Sequence, residues 1–276
     1  MSILTDFLTY PFLFKALLST VGLSILCGLL SPMVVAKKFA FMGASISHGA
    51  LLGVAISLSF LDGGTTAHSA GIFFITLLVT IIAASPLAYS TFRQRLPSDA
   101  LIGLFFTATM GLGLLIHQAQ GASTGDLLSF LFGNILTIDY FDLGLLAVLI
   151  VIITPVILLF KNQWMLFIFD EEAAAIQGLS SFRYHLSLFL MLTLIIVAGL
   201  KVSGVILINS FLLVPGIYAL KFAPNASSTF RYAILFSTFT SLTALILANS
   251  FDLPTGATIA VTQVATYILS IVMYRK

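Results

Sequence analysis

The chain of 276 residues is 59% hydrophobic and only 8% charged, with a mean hydropathy of +1.14 and a formal net charge of +2. Soluble domains carry about 25% charged residues, so this much apolar surface does not fit inside one water-soluble core. No nucleic-acid partner is expected, and the lone cysteine, Cys27, excludes an internal disulfide and CxxC metal chemistry.

Apolar segments of about 17–25 residues match the thickness of a bilayer. They recur at 12–35, 42–60, 71–92, 99–117, 140–160, 184–200, 203–220, 232–250 and 256–274. The expectation is an all-α, polytopic helical membrane protein with eight or nine spans, forming one transmembrane domain over residues 1–276. The first segment has no basic n-region before it and is long enough to span, unlike a cleaved leader. The stretch 127–138, LLSFLFGNILTI, is too short to cross and reads as an interfacial or re-entrant helix. Pro32, Pro86, Pro155 and Pro215 fall in or near spans, where kinks are expected.

Lysine and arginine favour the cytoplasmic side of short loops. With the N-terminus outside and the C-terminus cytoplasmic, ten of these residues face inward and only Lys15 and Lys201 face outward. The outer loops then hold six acids, Asp6, Asp62, Asp126, Asp139, Asp142 and Asp252. An acidic mouth favours cations, although loops also need polar residues for solvation alone.

Catalytic signatures are missing. No Walker A loop is present, so if the chain takes part in ATP-driven transport, another chain must hydrolyse the ATP. There is no HExxH and no GxSxG, and Ser47 and His48 point about 100° apart on a helix. The chain is therefore not expected to be an enzyme.

Two stretches stand out. The first, DEEAAAIQGLSSFRYH (170–185), lies in the longest inner loop. Acids in a first helical turn followed by Gly178 suit a short helix at about 170–179 with a glycine cap. Such an element can dock a soluble partner, or it can be an ordinary loop helix. The second, FMGASISHGALLGVAIS (41–57), places the ionisable His48 inside a span. An intramembrane ionisable residue is a functional-site candidate by default.

Five stretches, in order, resemble the ABC-3 family of metal permeases. KKFAFMGASISHGALLGVAI (37–56) is similar to the family's basic pair followed by G-D-A-x-S-H and LxGVA. DLLSFLFGNILTI (126–138), FDEEAAAIQGL (169–179), VSGVILINSFLLVPG (202–216) and DLPTGATIAV (252–261) resemble its later elements. The resemblance implies an importer permease fold of the metal and vitamin B12 type. It implies import of a divalent transition metal such as zinc, manganese or iron, in a bacterial-type inner membrane. The metal is cargo, and no permanently bound cofactor is expected. The implied partners are a cytoplasmic ABC ATPase dimer, an extracytoplasmic metal-binding protein and a second permease copy or paralogue within the lipid bilayer. Glu171, Glu172 and Gly178 then belong to the helix that couples to the ATPase. The related alternative is a permease for a chelated metal, siderophore or corrinoid, whose wider pore would not need a histidine. A passive channel or ion-coupled carrier would leave the EEAAAIQG loop unexplained.

The family motif puts Asp and His four residues apart, on one helix face, a sound pair for a divalent ion. Here the Asp position is Ala44. Three roles stay open for His48: metal contact, helix packing through a hydrogen bond, or a gate without metal contact. Ser45 and Asn209 are candidate hydrogen-bond partners for it, and Ser45, Ser47 and Asn209 are candidate path-lining residues. Tyr218 stands where the family carries small residues and would alter a pore lining. His68 and His117 are either samplers of metal at the outer mouth or solvated loop or interface residues, and His185 reads as a cytoplasmic-side residue without a metal role.

Overall fold

The computed structural model describes residues 7, 9–60, 66–93, 98–119 and 138–274. The short helix expected at 127–138 falls, but for Ile138, outside them. The described helices are α1 (Pro11–Ala36), α2 (Ala40–Phe60), α3 (Thr66–Arg93), α4 (Ser98–Ala119) and α5 (Tyr140–Leu159). They continue as α6 (Lys161–Phe169), α7 (Glu171–Ile176), α8 (Ser181–Phe222), α9 (Ala226–Ser250) and α10 (Thr255–Tyr274). Among the described residues there are nine helical stretches long and apolar enough to cross a membrane. Each coincides with a segment read from the sequence, within three residues at either end except α9, which starts six residues before the expected 232.

The segments expected at 184–200 and 203–220 are two arms of α8. They join with almost no loop, at Gly204, whose φ of 73° and ψ of 167° lie outside helical space. That region is essentially open to glycine alone. The reversal brings Gly199 beside Ile208. Gly204→Ala should therefore cost about 1–3 kcal/mol and lower the unfolding midpoint of the detergent-purified protein. An unchanged midpoint would show that the turn tolerates a side chain.

Helix α1 and the two arms of α8 form the centre, with α2, α9 and α10 packed around them. Helix α4 lies outside α2. Between lipid-solvated helices the hydrophobic effect gives little, so close packing and interhelical hydrogen bonds hold the bundle. A Cβ on Gly28 would meet Ile234 Cα at 2.9 Å, and one on Gly53 would meet Thr76 O at 2.8 Å. Where α8 crosses α1, the Gly216 N–H donates to Ser31 Oγ at 2.6 Å. This crossing follows Pro215, which breaks the helix's own ladder. Prolines 32, 86 and 155 also lie inside helices.

Side-chain contacts sort the loops into two ends. At one, Lys37 pairs with Glu171, Lys161 donates to Ser227, and the His185 ring contacts the Ala88 carbonyl. This is the basic end. At the other, the Lys15 ammonium sits 3.8 Å from the Tyr140 ring centre, and Ser69 reaches Asp139.

Candidate functional site

Helix α2 is apolar on all sides and mostly buried. Between Met42 and Ala55 every residue is buried except Ala44 and His48, which are half-buried. Four residues apart, they share one face and form a short open stripe. His48 lies ~12 Å along α2 from its start, near mid-span. Its ring meets Phe106 of α4 edge-on, with centroids 4.5 Å apart. Its Nδ1 is enclosed and has no hydrogen-bond partner among the described residues.

The partners expected for His48 are engaged elsewhere. Ser45 Oγ donates to the Ile102 carbonyl of α4 at 3.2 Å. Ser47 Oγ, about 100° around the helix, donates to Asn209 Oδ1 of α8 at 3.0 Å. Neither Ser45 nor Asn209 holds the imidazole. The predicted cluster is thus split: Ser47 and Asn209 tie α2 to α8, while Ser45 and His48 face α4. An enclosed ring nitrogen without a partner costs about 1–3 kcal/mol, and no hydrogen bond from Nδ1 to a described residue supports a packing role for His48.

Asn209 and Ser210 also border an open groove of about 550 Å³ between the second arm of α8 and α10. Its walls are apolar, including Ile206, Leu213, Val261 and Val264. Ser210 Oγ donates to Gln263 Oε1 at 2.9 Å, and Gln263 Nε2 reaches Ser241 Oγ, which also accepts from Ser24. This buried polar chain joins α8, α10, α9 and α1. Gln263 has no exposed surface, and sequence reading missed it. Its signal was a lone glutamine amid an apolar span. Tyr218 does not line the groove. It stacks on Phe236 of α9 with ring centres 4.1 Å apart.

No group of three or more metal-ligating side chains occurs among the described residues. His117, read as a solvated loop or interface residue, lies in the last turn of α4 and is only 2% exposed. The His68 side chain lies outside the described residues. Asp139 and Asp142 form a reciprocal capping box at the start of α5, which satisfies orphan backbone N–H groups.

At the basic end, α7 is short and capped at both ends. Asp170 is its N-cap and accepts from the Ala173 N–H at 2.9 Å. Gly178 has φ 80°, and the Gly178 and Leu179 N–H groups donate to the Ala175 and Ala174 carbonyls. That is a Schellman termination, for which glycine is preferred. Glu172 and Ile176 point outward, Ile176 with 87% of its surface exposed. Glu171 turns back and accepts from Lys37 Nζ at 2.8 Å. The Lys37 ammonium also sits 3.9 Å from the Phe167 ring centre. Burial alone would raise the Glu171 pKa, but the hydrogen bond and charge of Lys37, aided by Ser181 and His185, leave it below its ordinary value.

The ABC 3 transport family matches residues 9–274. A Haemophilus influenzae protein named "Probable iron transport system membrane protein" is 32% identical over 96% of this chain and 94% of its own length. The manganese transport system membrane protein MntC of Listeria monocytogenes is 30% identical over 98% of this chain and 93% of its own length. Among solved structures, PsaBC from Streptococcus pneumoniae in complex with Fab superposes with a TM-score of 0.84 at 27% identity, covering 97% of this chain and 94% of that one. A match of this extent, on a bundle with nine candidate membrane spans among its described residues, has one reading: the chain belongs to the ABC 3 transport family.

Proposed function

We propose that this chain is the membrane-spanning permease subunit of an ATP-driven importer for a divalent transition metal ion, manganese, zinc or iron. The relatives' names supply the cargo class. The observation that carries the site is the open Ala44–His48 stripe on an otherwise buried mid-membrane helix. His48 offers the passing ion one imidazole nitrogen. Four or more ligands are needed in all, so water and a second copy or paralogue supply the others. One ligand per chain also suits transport, because a path must bind weakly enough to release.

A second copy covers the α8–α10 groove, whose Asn209 and Ser210 are poorly suited to lipid. The basic end faces the cytoplasm, in keeping with ten inward against two outward basic residues. There α7 docks on the ATPase, with Ile176 and Glu172 as its outward contacts. An extracytoplasmic binding protein delivers metal to the opposite end.

The test is uptake in a strain lacking this gene, complemented by the chain together with its ATPase, with manganese, zinc and iron offered separately. Uptake of at least one free ion should return, and an ATPase variant unable to hydrolyse ATP should abolish it. Uptake of chelated forms only, or uptake that persists with the inactive ATPase, would overturn the proposal.

A further inference from the structure

At the basic end a second groove, of about 310 Å³, opens between the end of α5, α6 and the first turns of α8. Val156, Phe160 and Met191 give it apolar walls, and Arg183 stands at its other end. Helix α5 leaves its span at Leu159, and α8 enters its span at Ser181. The groove therefore lies at the margin of these two candidate spans. Met191 lies eight residues, or ~12 Å, deeper along α8 than Arg183.

One side of the groove is a fixed aromatic cluster. Trp164 meets Tyr184 edge-on at 4.9 Å, and Phe167 stacks on Tyr184 at 5.5 Å. The Tyr184 hydroxyl donates to Gln163 Oε1 at 2.8 Å, which holds the ring in place. Tryptophan and tyrosine concentrate at the headgroup level of membranes. Two polar groups here are short of partners among the described residues. Trp164, 2% exposed, has an enclosed indole N–H with no acceptor among the described residues. The exposed Arg183 guanidinium has no carboxylate within 4.0 Å among them, where the Lys37–Glu171 bridge is the sole ion pair.

We propose that this groove binds one anionic phospholipid. Its phosphate pairs with Arg183, and an acyl chain lies along Val156, Phe160 and Met191. A guanidinium fits a phosphate bidentately, and the apolar walls continue from it into the bilayer depth, as a lipid tail does. A soluble protein partner would meet the charge but not those lipid-depth walls. Because α6 forms one side and leads directly into α7, the bound lipid braces the base of the outward-facing short helix.

Native mass spectrometry tests this on the permease–ATPase complex, purified in detergent from vesicles of phosphatidylcholine and phosphatidylglycerol. Wild type should retain phosphatidylglycerol in preference to phosphatidylcholine. Arg183→Gln should weaken that retention about fivefold, the size expected for one basic residue against anionic lipid. Arg183→Lys should keep most of it. Val156→Trp should fill the groove and displace both lipids. Arg183 is exposed, so its variants test the site without disturbing the core. Equal retention of the two lipids, or retention unchanged in both Arg183→Gln and Val156→Trp, would overturn the proposal. So would efficient cross-linking of Ser187→Cys to the ATPase, because a protein would then cover the groove.

Discussion

Glu171→Lys should reduce metal uptake and substrate-stimulated ATP hydrolysis about tenfold or more, since displacing a working element by ~1 Å can cost 10²-fold. Lys37 lies in the turn between α1 and α2, and Glu171 lies in the first turn of α7. Their contact ties the outward-facing short helix to the helix that carries His48. The Glu171 side chain is 51% exposed, so the pair itself adds little stability, at most about 1 kcal/mol. The chain should accordingly reach the membrane at its normal level. The loss would come from two ammonium groups driving α7 away from the α1–α2 turn. Lys37→Glu in the same chain restores opposite charges and should recover much of the activity. If the double exchange is as inactive as the single one, Glu171 acts through some other contact. Gly178→Leu is an independent probe, because a side chain at φ 80° strains the Schellman termination by about 1–2 kcal/mol. The sign of the pH effect is also set. A lowered Glu171 pKa means the contact is complete above the ordinary carboxylate range and fades as pH falls through the lowered value. Coupling should therefore hold near neutrality and decline only in acid.

The spans, the two ends and the short capped helix α7 were legible because each leaves a one-dimensional trace. Bilayer thickness sets segment length, and caps need particular residues, as Asp170 and Gly178 illustrate. The interhelical contacts left no such trace. Helix α2 is apolar all round, so no stripe of polarity marks which face meets α8 and which stays open. A rotation of 100° separates Ser47, bonded to Asn209, from His48, which meets Phe106. Pairing Asn209 with His48 was reasonable from chemistry and wrong in rotation. Gln263 escaped notice for the same reason, since its partners Ser210 and Ser241 lie on two other helices. His117 stands at the end of a span, and position along the chain does not show that its side chain is buried there.

His48→Ala should lower uptake about tenfold or more, as losses around metal ligands commonly do, without loosening the complex with the ATPase. His48→Gln should rescue little, since a neutral amide is a poor transition-metal ligand. Ala44→Asp makes the sharper test. Position 44 is half-buried on the same open stripe as His48, with Cβ atoms ~5–6 Å apart. The new carboxylate therefore arrives beside the imidazole rather than inside packed helices. It should increase the metal retained by the purified permease and slow turnover, because a tighter site releases its cargo less readily. A His48 that only packs predicts the opposite pattern: no added metal and a lower folding yield, since an unpaired charge in the membrane is costly. Metal content of the purified protein with and without Ala44→Asp decides between them. Unchanged content, together with full uptake by His48→Ala, would remove His48 from the transport path.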